Sequence, residues 1–371
     1  MLNRLDDYPI HQTPVPVAQA GTSDPNFYDR YFFNGYSRSG DLFFAAALGV
    51  YPNRGVMDAA FSVVSDGRQH VVRASRLLPG ERTETEVGPI RVEVEDPMRV
   101  LALDVADNAF GIAGELRFTA CADAMEEPRA TRIHEGRVFM DSTRFTQFGT
   151  WSGELRVAGT RLVVDDDEVL GCRDRSWGIR PVGERPAAGP PGPPPQIYWV
   201  WAPLHFEDRC TLLSTFQDEA GHAWHEHGAM AIHWASQVNA SPGERDGVET
   251  LRGTRHRIEF EPGTRRARSA RLGYAGSEHE IVLEPILTFQ MLGIGYLSPD
   301  WGHGMWKGEE ALDGTSWKLG GLDPLDPRHI HVQQLVRAKM GEREGIGVLE
   351  QLIIGPHVPS GFTGLLDGAK G

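Results

Sequence analysis

Gly171-Cys172-Arg173-Asp174-Arg175-Ser176-Trp177-Gly178-Ile179-Arg180-Pro181 runs almost directly into the proline-rich stretch 183–196, GERPAAGPPGPPPQ, and this junction decides how the chain divides. Proline lacks an amide donor and fixes its own backbone angle, so 183–196 can be neither a helix interior nor a central strand. It is read as a linker between an N-terminal unit, 1–182, and a C-terminal unit, 197–371. Ahead of the linker, Arg173 and Arg175 flank Asp174 in sequence. Such a carboxylate is either part of a structural ion pair with these arginines or an ionised group held where a ligand needs it.

Working outward from the junction, both sides read as short strands. On the N-terminal side these are 42–51, 57–65, 69–75, 90–95, 99–105, 110–119 and 153–164. Ser65-Asp66-Gly67-Arg68 is a hairpin signal, since Asp-Gly supplies the positive backbone angles of a tight turn. On the C-terminal side the strands are 198–203, 210–218, 223–234, 256–260, 270–274, 278–289, 316–322, 329–339 and 347–354, the last returning as a terminal hairpin in which Arg337 would face Glu350. No long helical period interrupts them. Regularly spaced short strands predict an all-β chain of sandwiches or antiparallel barrels, one in each half. The 43 Gly and 25 Pro agree, because these residues punctuate many short elements.

A formal net charge of −14 disfavours nucleic acid or an anionic membrane as the main partner. The start of the chain lacks a cationic-then-apolar leader pattern, and the longest apolar run, 42–51, is too short to span a bilayer. The expectation is a cytoplasmic protein with no integral membrane segment. Cys121, Cys172 and Cys210 are widely spaced and form no CxxC, so neither a disulfide framework nor a zinc knuckle is expected.

Candidate chemistry concentrates after residue 150, where all nine tryptophans lie. In Tyr198-Trp199-Val200-Trp201, strand alternation puts Tyr198 and Val200 on one face and both indoles on the other, to meet core, cavity or a partner unit. The glycine-broken segment from Tyr296 to Gly308 offers Trp301, His303 and Trp306, as a surface loop or as part of a site in which His303 exchanges protons. The strand carrying His331 and Gln333 is amphipathic, with its polar face open to solvent or to a ligand cavity. His222-Ala223-Trp224-His225-Glu226-His227 puts His225 and His227 on one strand face, but further ligands are missing, so an exposed strand is expected and no metal is assigned. Signatures of hydrolase elbows, phosphate loops, zincins and dinucleotide folds are absent from the sequence.

Arg173-Asp174-Arg175-Ser176-Trp177-Gly178 before a linker, followed by Trp301-Gly302-His303-Gly304 and the strand from His331 to Arg337, resembles the lipocalin-like superfamily of carotenoid hydratases and AttH-type proteins. The resemblance implies two packed lipocalin-like barrels and addition of water to an alkene of an isoprenoid group. It suggests Asp174 as a proton-transfer or charge-stabilising residue and Trp177 as a pocket wall. With arginines crowding the acid, Asp174 would serve as base or cation stabiliser and His303 as proton donor. The expected function is a cofactor-independent lyase or isomerase, of hydratase or dehydratase type, on a hydrophobic terpenoid-like or polycyclic substrate. Tyr198, Trp201, Trp301, Trp306, His331 and Gln333 would join Trp177 in binding it, with the indoles facing a developing carbocation, while Arg173 and Arg175 act as structural ion pairs. A non-catalytic carrier of a hydrophobic small molecule is the alternative.

Overall fold

The structure is a computed structural model that describes residues 2–134, 136–183, 194–237 and 247–371; most of the expected linker, 184–193, lies outside them. Among the described residues there is no α-helix, only short 3-10 turns between strands. Two antiparallel sheets curl into half-barrels, as a pair of lipocalin-like barrels requires.

Among the described residues the first sheet has 14 strands, and its centre sets the site: Phe43–Tyr51, Phe27–Ser37, Val169–Ile179, Arg137–Val157 and Ile112–Ala120 lie side by side in that order. The second has nine, with Ile197–Phe206, Arg343–Ile354 and Val332–Met340 at its centre. The hairpin expected at Ser65-Asp66-Gly67-Arg68 forms, with Asp66 at φ 50 and Gly67 at φ 70 between paired strands. The Glu310–Lys318 strand comes from the second half of the chain yet pairs with Arg68–Leu77 at the edge of the first sheet. Sheet membership therefore does not follow the division at 183–196. An ion pair between Arg73 and Asp313, 3.2 Å, accompanies this crossover.

Strand alternation sorts the apolar side chains into three layers. Phe33, Phe44, Phe61, Phe118 and Trp151 fill the first barrel, and Tyr198, Val200, Leu213, Leu283 and Leu349 fill the second. Phe32, Phe43, Phe148, Trp201, Phe289 and Leu335 form a layer between the two sheets. Phe32 and Phe33 are adjacent in sequence and enter different cores, because successive side chains point to opposite faces. At about 1.5 to 3 kcal/mol for each large apolar side chain buried, the middle layer holds the two sheets together. Trp199 and Trp201 belong to this layer, whereas Tyr198 faces the second barrel.

Gly171 is required where the first sheet meets Trp151. The indole Nε1 donates to the Asn34 carbonyl at 2.9 Å, and a Cβ on Gly171 would collide with that carbonyl oxygen.

Candidate active site

Three neighbouring strands of the first sheet frame the site. Asp174 lies between Phe32 and Thr146, Ser176 between Arg30 and Arg144, and Gly178 between Tyr28 and Ser142. Their side chains share the face turned toward the second sheet. Gly178, at φ 129, could not carry a Cβ without striking the Asp141 carbonyl; this backbone brings Arg180 over Tyr28, 4.4 Å from guanidinium carbon to ring centroid.

A cavity of about 80 Å³ opens in front of this face, lined by Asp174, Arg30, Arg144, Arg180, Glu127 and Tyr296 together with Tyr28, Ser176, Phe216 and His225. Arg30 is 2% exposed. Its Nη1 donates to the Tyr296 hydroxyl at 2.9 Å, but Nε and Nη2 are buried with no hydrogen-bond partner. Nε and Nη2 of Arg180 are likewise buried and unpartnered. Unmade hydrogen bonds on a buried guanidinium cost about 1 to 3 kcal/mol or more, so these four donors call for acceptors in the cavity.

Arg144 is different, because its charge is consumed. It donates through Nε and Nη2 to the two carboxylate oxygens of Glu127, at 2.8 and 2.7 Å, and Ser214 from the second sheet donates to the same carboxylate at 2.7 Å. Burial alone would raise the Glu127 pKa, but the Arg144 charge, with hydrogen bonds from His225 and Arg144, drives it well below the usual range. Glu127 is thus a fixed anion.

Asp174 has no side-chain hydrogen bond or ion pair among the described residues. Burial pushes its pKa up to about 6; Arg144 and Arg30 oppose this, and the Glu127 charge adds to it. The carboxyl accordingly exchanges a proton close to neutral pH. The expected crowding by Arg173 and Arg175 does not occur, since alternation sends both to the opposite face. Arg173 donates to Gln147 Oε1 at 2.9 Å and lies over Phe145; Arg175 pairs with Asp29 at 2.8 Å over the Tyr31 ring. Trp177 shares their face, 39% exposed against the edge of Phe145, and is no wall of the Asp174 cavity.

A buried polar network adjoins the site. His331 Nε2 lies 2.8 Å from Glu350 Oε1, Gln333 Nε2 donates to Glu350 Oε2 at 2.6 Å, and Trp199 Nε1 donates to Glu350 Oε1 at 3.0 Å. Asn34 of the first sheet donates to Gln333 Oε1 at 3.2 Å. Burial would raise Glu350, yet these hydrogen bonds and the His331 charge outweigh it and lower its pKa. The polar face of this strand is therefore inside the molecule, not in solvent. Glu350 stands opposite Gln333, whereas Arg337 stands opposite Ile346 and is exposed. His331 meets the edge of Tyr296, 4.5 Å between centroids, which links the network to Arg30.

The remaining expected residues disperse. Tyr198 bonds His256 at 2.8 Å and stacks on His357 inside the second barrel. Trp201 packs its edge on Phe32, and Trp306 is 49% exposed. Trp301 and His303 line a separate cleft of about 20 Å³ with Asp58. His303 Nε2 donates to the Ile294 carbonyl at 2.8 Å, and burial, then Arg30 and Arg180, hold its pKa well below the ordinary value. A neutral imidazole whose proton is held by a carbonyl is not positioned as the donor. His222 pairs with Asp218 at the surface, while His225 and His227 are buried and not on an exposed strand; His225 approaches Glu127 at 3.6 Å. Arg30, Arg144, Glu127 and Tyr296 escape a sequence reading because cross-strand register and sheet packing, not local spacing, deliver them.

A larger cavity, about 1060 Å³, occupies the mouth of the first barrel beneath the N-terminal segment. Of its arginines, Arg4 pairs with Glu81, Arg175 with Asp29 and Arg91 with Glu93, while Arg82 donates through Nη2 to the Ala18 carbonyl and leaves Nη1 buried without a partner. Volume favours that cavity, but it has one unpartnered arginine donor against four in the smaller one, where Asp174 also lies, and chemistry decides for the smaller.

Solved structures share this fold. Kievitone hydratase from Nectria haematococca superposes with a TM-score of 0.51 at 12% identity, covering 87% of this chain and 88% of its own. A putative AttH from Nitrosomonas europaea gives a TM-score of 0.55 at 11% identity, over 88% and 92%. The fold is that of the lipocalin-like AttH and hydratase proteins. No curated protein matches the chain in sequence. A family model described as a family of unknown function, DUF8625, matches residues 2–363, and the chain belongs to that family.

Proposed function

We propose that the chain is a cofactor-independent lyase or isomerase of hydratase or dehydratase type, with Asp174 as the proton-transfer group. The observation that carries this is the pairing of a carboxyl of pKa about 6 with the unpartnered donors of Arg30 and Arg180 at one cavity. A protonatable carboxyl supplies general acid and base catalysis, and fixed donors stabilise charge that develops on oxygen. The likeness of fold to a protein named a hydratase is consistent with it.

The charge pattern revises the expected mechanism. A carbocation beside the unpaired Arg30 and Arg180 would be repelled, and Trp177, Trp301 and Trp306 are not among the residues lining the cavity. The arrangement suits an enolate. In hydration of an α,β-unsaturated carbonyl compound, water adds to the β-carbon, the carbonyl oxygen takes up negative charge against Arg30 and Arg180, and Asp174 protonates the α-carbon. The proton lost by the incoming water returns to Asp174. The reverse sequence is dehydration, and removal and return of one proton is double-bond migration. At about 80 Å³, room for about two or three waters, the cavity admits the reacting group while a terpenoid-like or polycyclic body extends past Phe216 and Met140.

The test is incubation with a panel of hydrophobic enones and their hydrates in D2O, read by carbon-bound deuterium. Wild type should label the α-carbon, and Asp174→Asn should cut the rate by about 100-fold or more. Equal labelling by the variant would remove Asp174 from the reaction. The carrier reading rests on the cavity of about 1060 Å³ in the first barrel; it predicts tight binding of a hydrophobic ligand that Asp174→Asn leaves unchanged, with no labelling.

A further inference from the structure

We propose that Cys121, His205, Cys210 and His233 form a tetrahedral zinc site that staples the two sheets together. Their ligand atoms, two sulfurs and two imidazole nitrogens, all lie within 4.8 Å of one another. Cys210 Sγ is 3.1 Å from His233 Nε2 and 3.6 Å from His205 Nδ1. Zinc bonds of about 2.3 Å to sulfur and about 2.0 Å to nitrogen, at tetrahedral angles, separate ligand atoms by about 3.3 to 3.8 Å. The existing spacings are close to these, so the metal would require only small side-chain adjustments.

The surroundings prepare the ligands. His205 Nε2 lies 2.9 Å from the Gly171 carbonyl, which can only accept, so Nε2 carries the proton and Nδ1 is left as a lone-pair donor toward Cys210. A metal-binding histidine held by its other nitrogen in this way has a fixed tautomer and ring orientation. The Cys121 main chain is fixed on both sides: its amide donates to the Phe148 carbonyl at 3.0 Å and its carbonyl accepts from the Trp234 amide at 2.9 Å. His205 and Cys210 are register partners across one hairpin of the second sheet, and His205 and Cys210 are 3% and 0% exposed. Cys172, the third cysteine, points to Asn34 instead.

Four protein donors leave no open position, which is the pattern of a structural and not a catalytic zinc. Cys121 follows the Ile112–Ala120 strand of the first sheet, while the other three belong to the second-sheet segment from His205 to His233. The metal would therefore reinforce the apolar layer between the sheets, independently of the chemistry at Asp174. These donors meet through sheet packing, with no CxxC or closely spaced pair to announce them, so the sequence reading that assigned no metal did not consider them together.

The test is elemental analysis of the full chain purified without chelator from zinc-supplemented cells, together with cobalt substitution. One zinc per chain is expected, with thiolate-to-cobalt charge transfer and the intense visible bands of a tetrahedral ion in the cobalt form. Cys121→Ser and His233→Ala should each lower bound zinc by about tenfold or more, while Asp174→Asn and His222→Ala retain it. The cobalt spectrum of the wild-type chain makes the test independent of whether the ligand variants fold. Failure of wild type to take up zinc or cobalt on titration, or a Cys121 to Cys210 disulfide in freshly purified protein, would overturn the proposal.

Discussion

Arg144 donates to both carboxylate oxygens of Glu127, and this pair sets the charge beside Asp174. Arg144 lowers the Asp174 pKa more than any other charge does, but the Glu127 charge beside it acts the other way and burial prevails. Glu127→Gln would leave Arg144 buried without a counter-charge. Breaking such a pair costs about 3 to 5 kcal/mol, and the freed arginine should also pull the Asp174 pKa down. Urea unfolding of the variant should show the loss. A change under about 1 kcal/mol would mean that the pair is not set as described.

Arg30 separates stability from function. Its Nε and Nη2 lack partners in the fold, so a purely structural arginine would be badly placed. Arg30→Met, which removes the buried unsatisfied donors and keeps much of the volume, should leave the melting temperature unchanged or raised while strongly reducing labelling of the enone panel. A large fall in melting temperature would assign Arg30 to the scaffold.

Stability should depend on pH through Asp58 and Asp174, both raised to about 6 by burial. A carboxyl whose folded pKa exceeds its unfolded value of 3.8 binds more protons when folded. Its contribution is complete below about pH 4 and is lost as pH rises through about 6. Asp174→Asn should flatten the melting temperature between these limits relative to wild type, and a slope identical to wild type would contradict the shift.

The β architecture was legible where one face of a strand is buried and turns are explicit, as in the hairpin through Asp66-Gly67. Two central strands were not, and a third, Arg137–Val157, was expected only from residue 153 onward. Phe27–Ser37 is buried on both faces along much of its length and shows no alternation, and Val169–Ile179 has charged residues at three consecutive positions that hide its period. Once the latter is a strand, Arg173 and Arg175 must leave Asp174, and the reading of a crowded acid reverses. Asp174 itself was accessible from its motif. Arg30, Arg144 and Glu127 were not, because their approach depends on register across neighbouring strands and on packing of the second sheet. His331 and Gln333 were recognised as a polar face, but only sheet packing shows that this face is interior.

The central claim is that Asp174 holds a proton near neutral pH at a cavity of arginine donors. Carboxyl carbon NMR of ¹³C-aspartate-labelled protein, with the Asp174 signal assigned by its loss in Asp174→Asn, measures this without a substrate. A titration midpoint of about 6 is the predicted result; a midpoint at or below the ordinary aspartate value of about 4 would contradict the account.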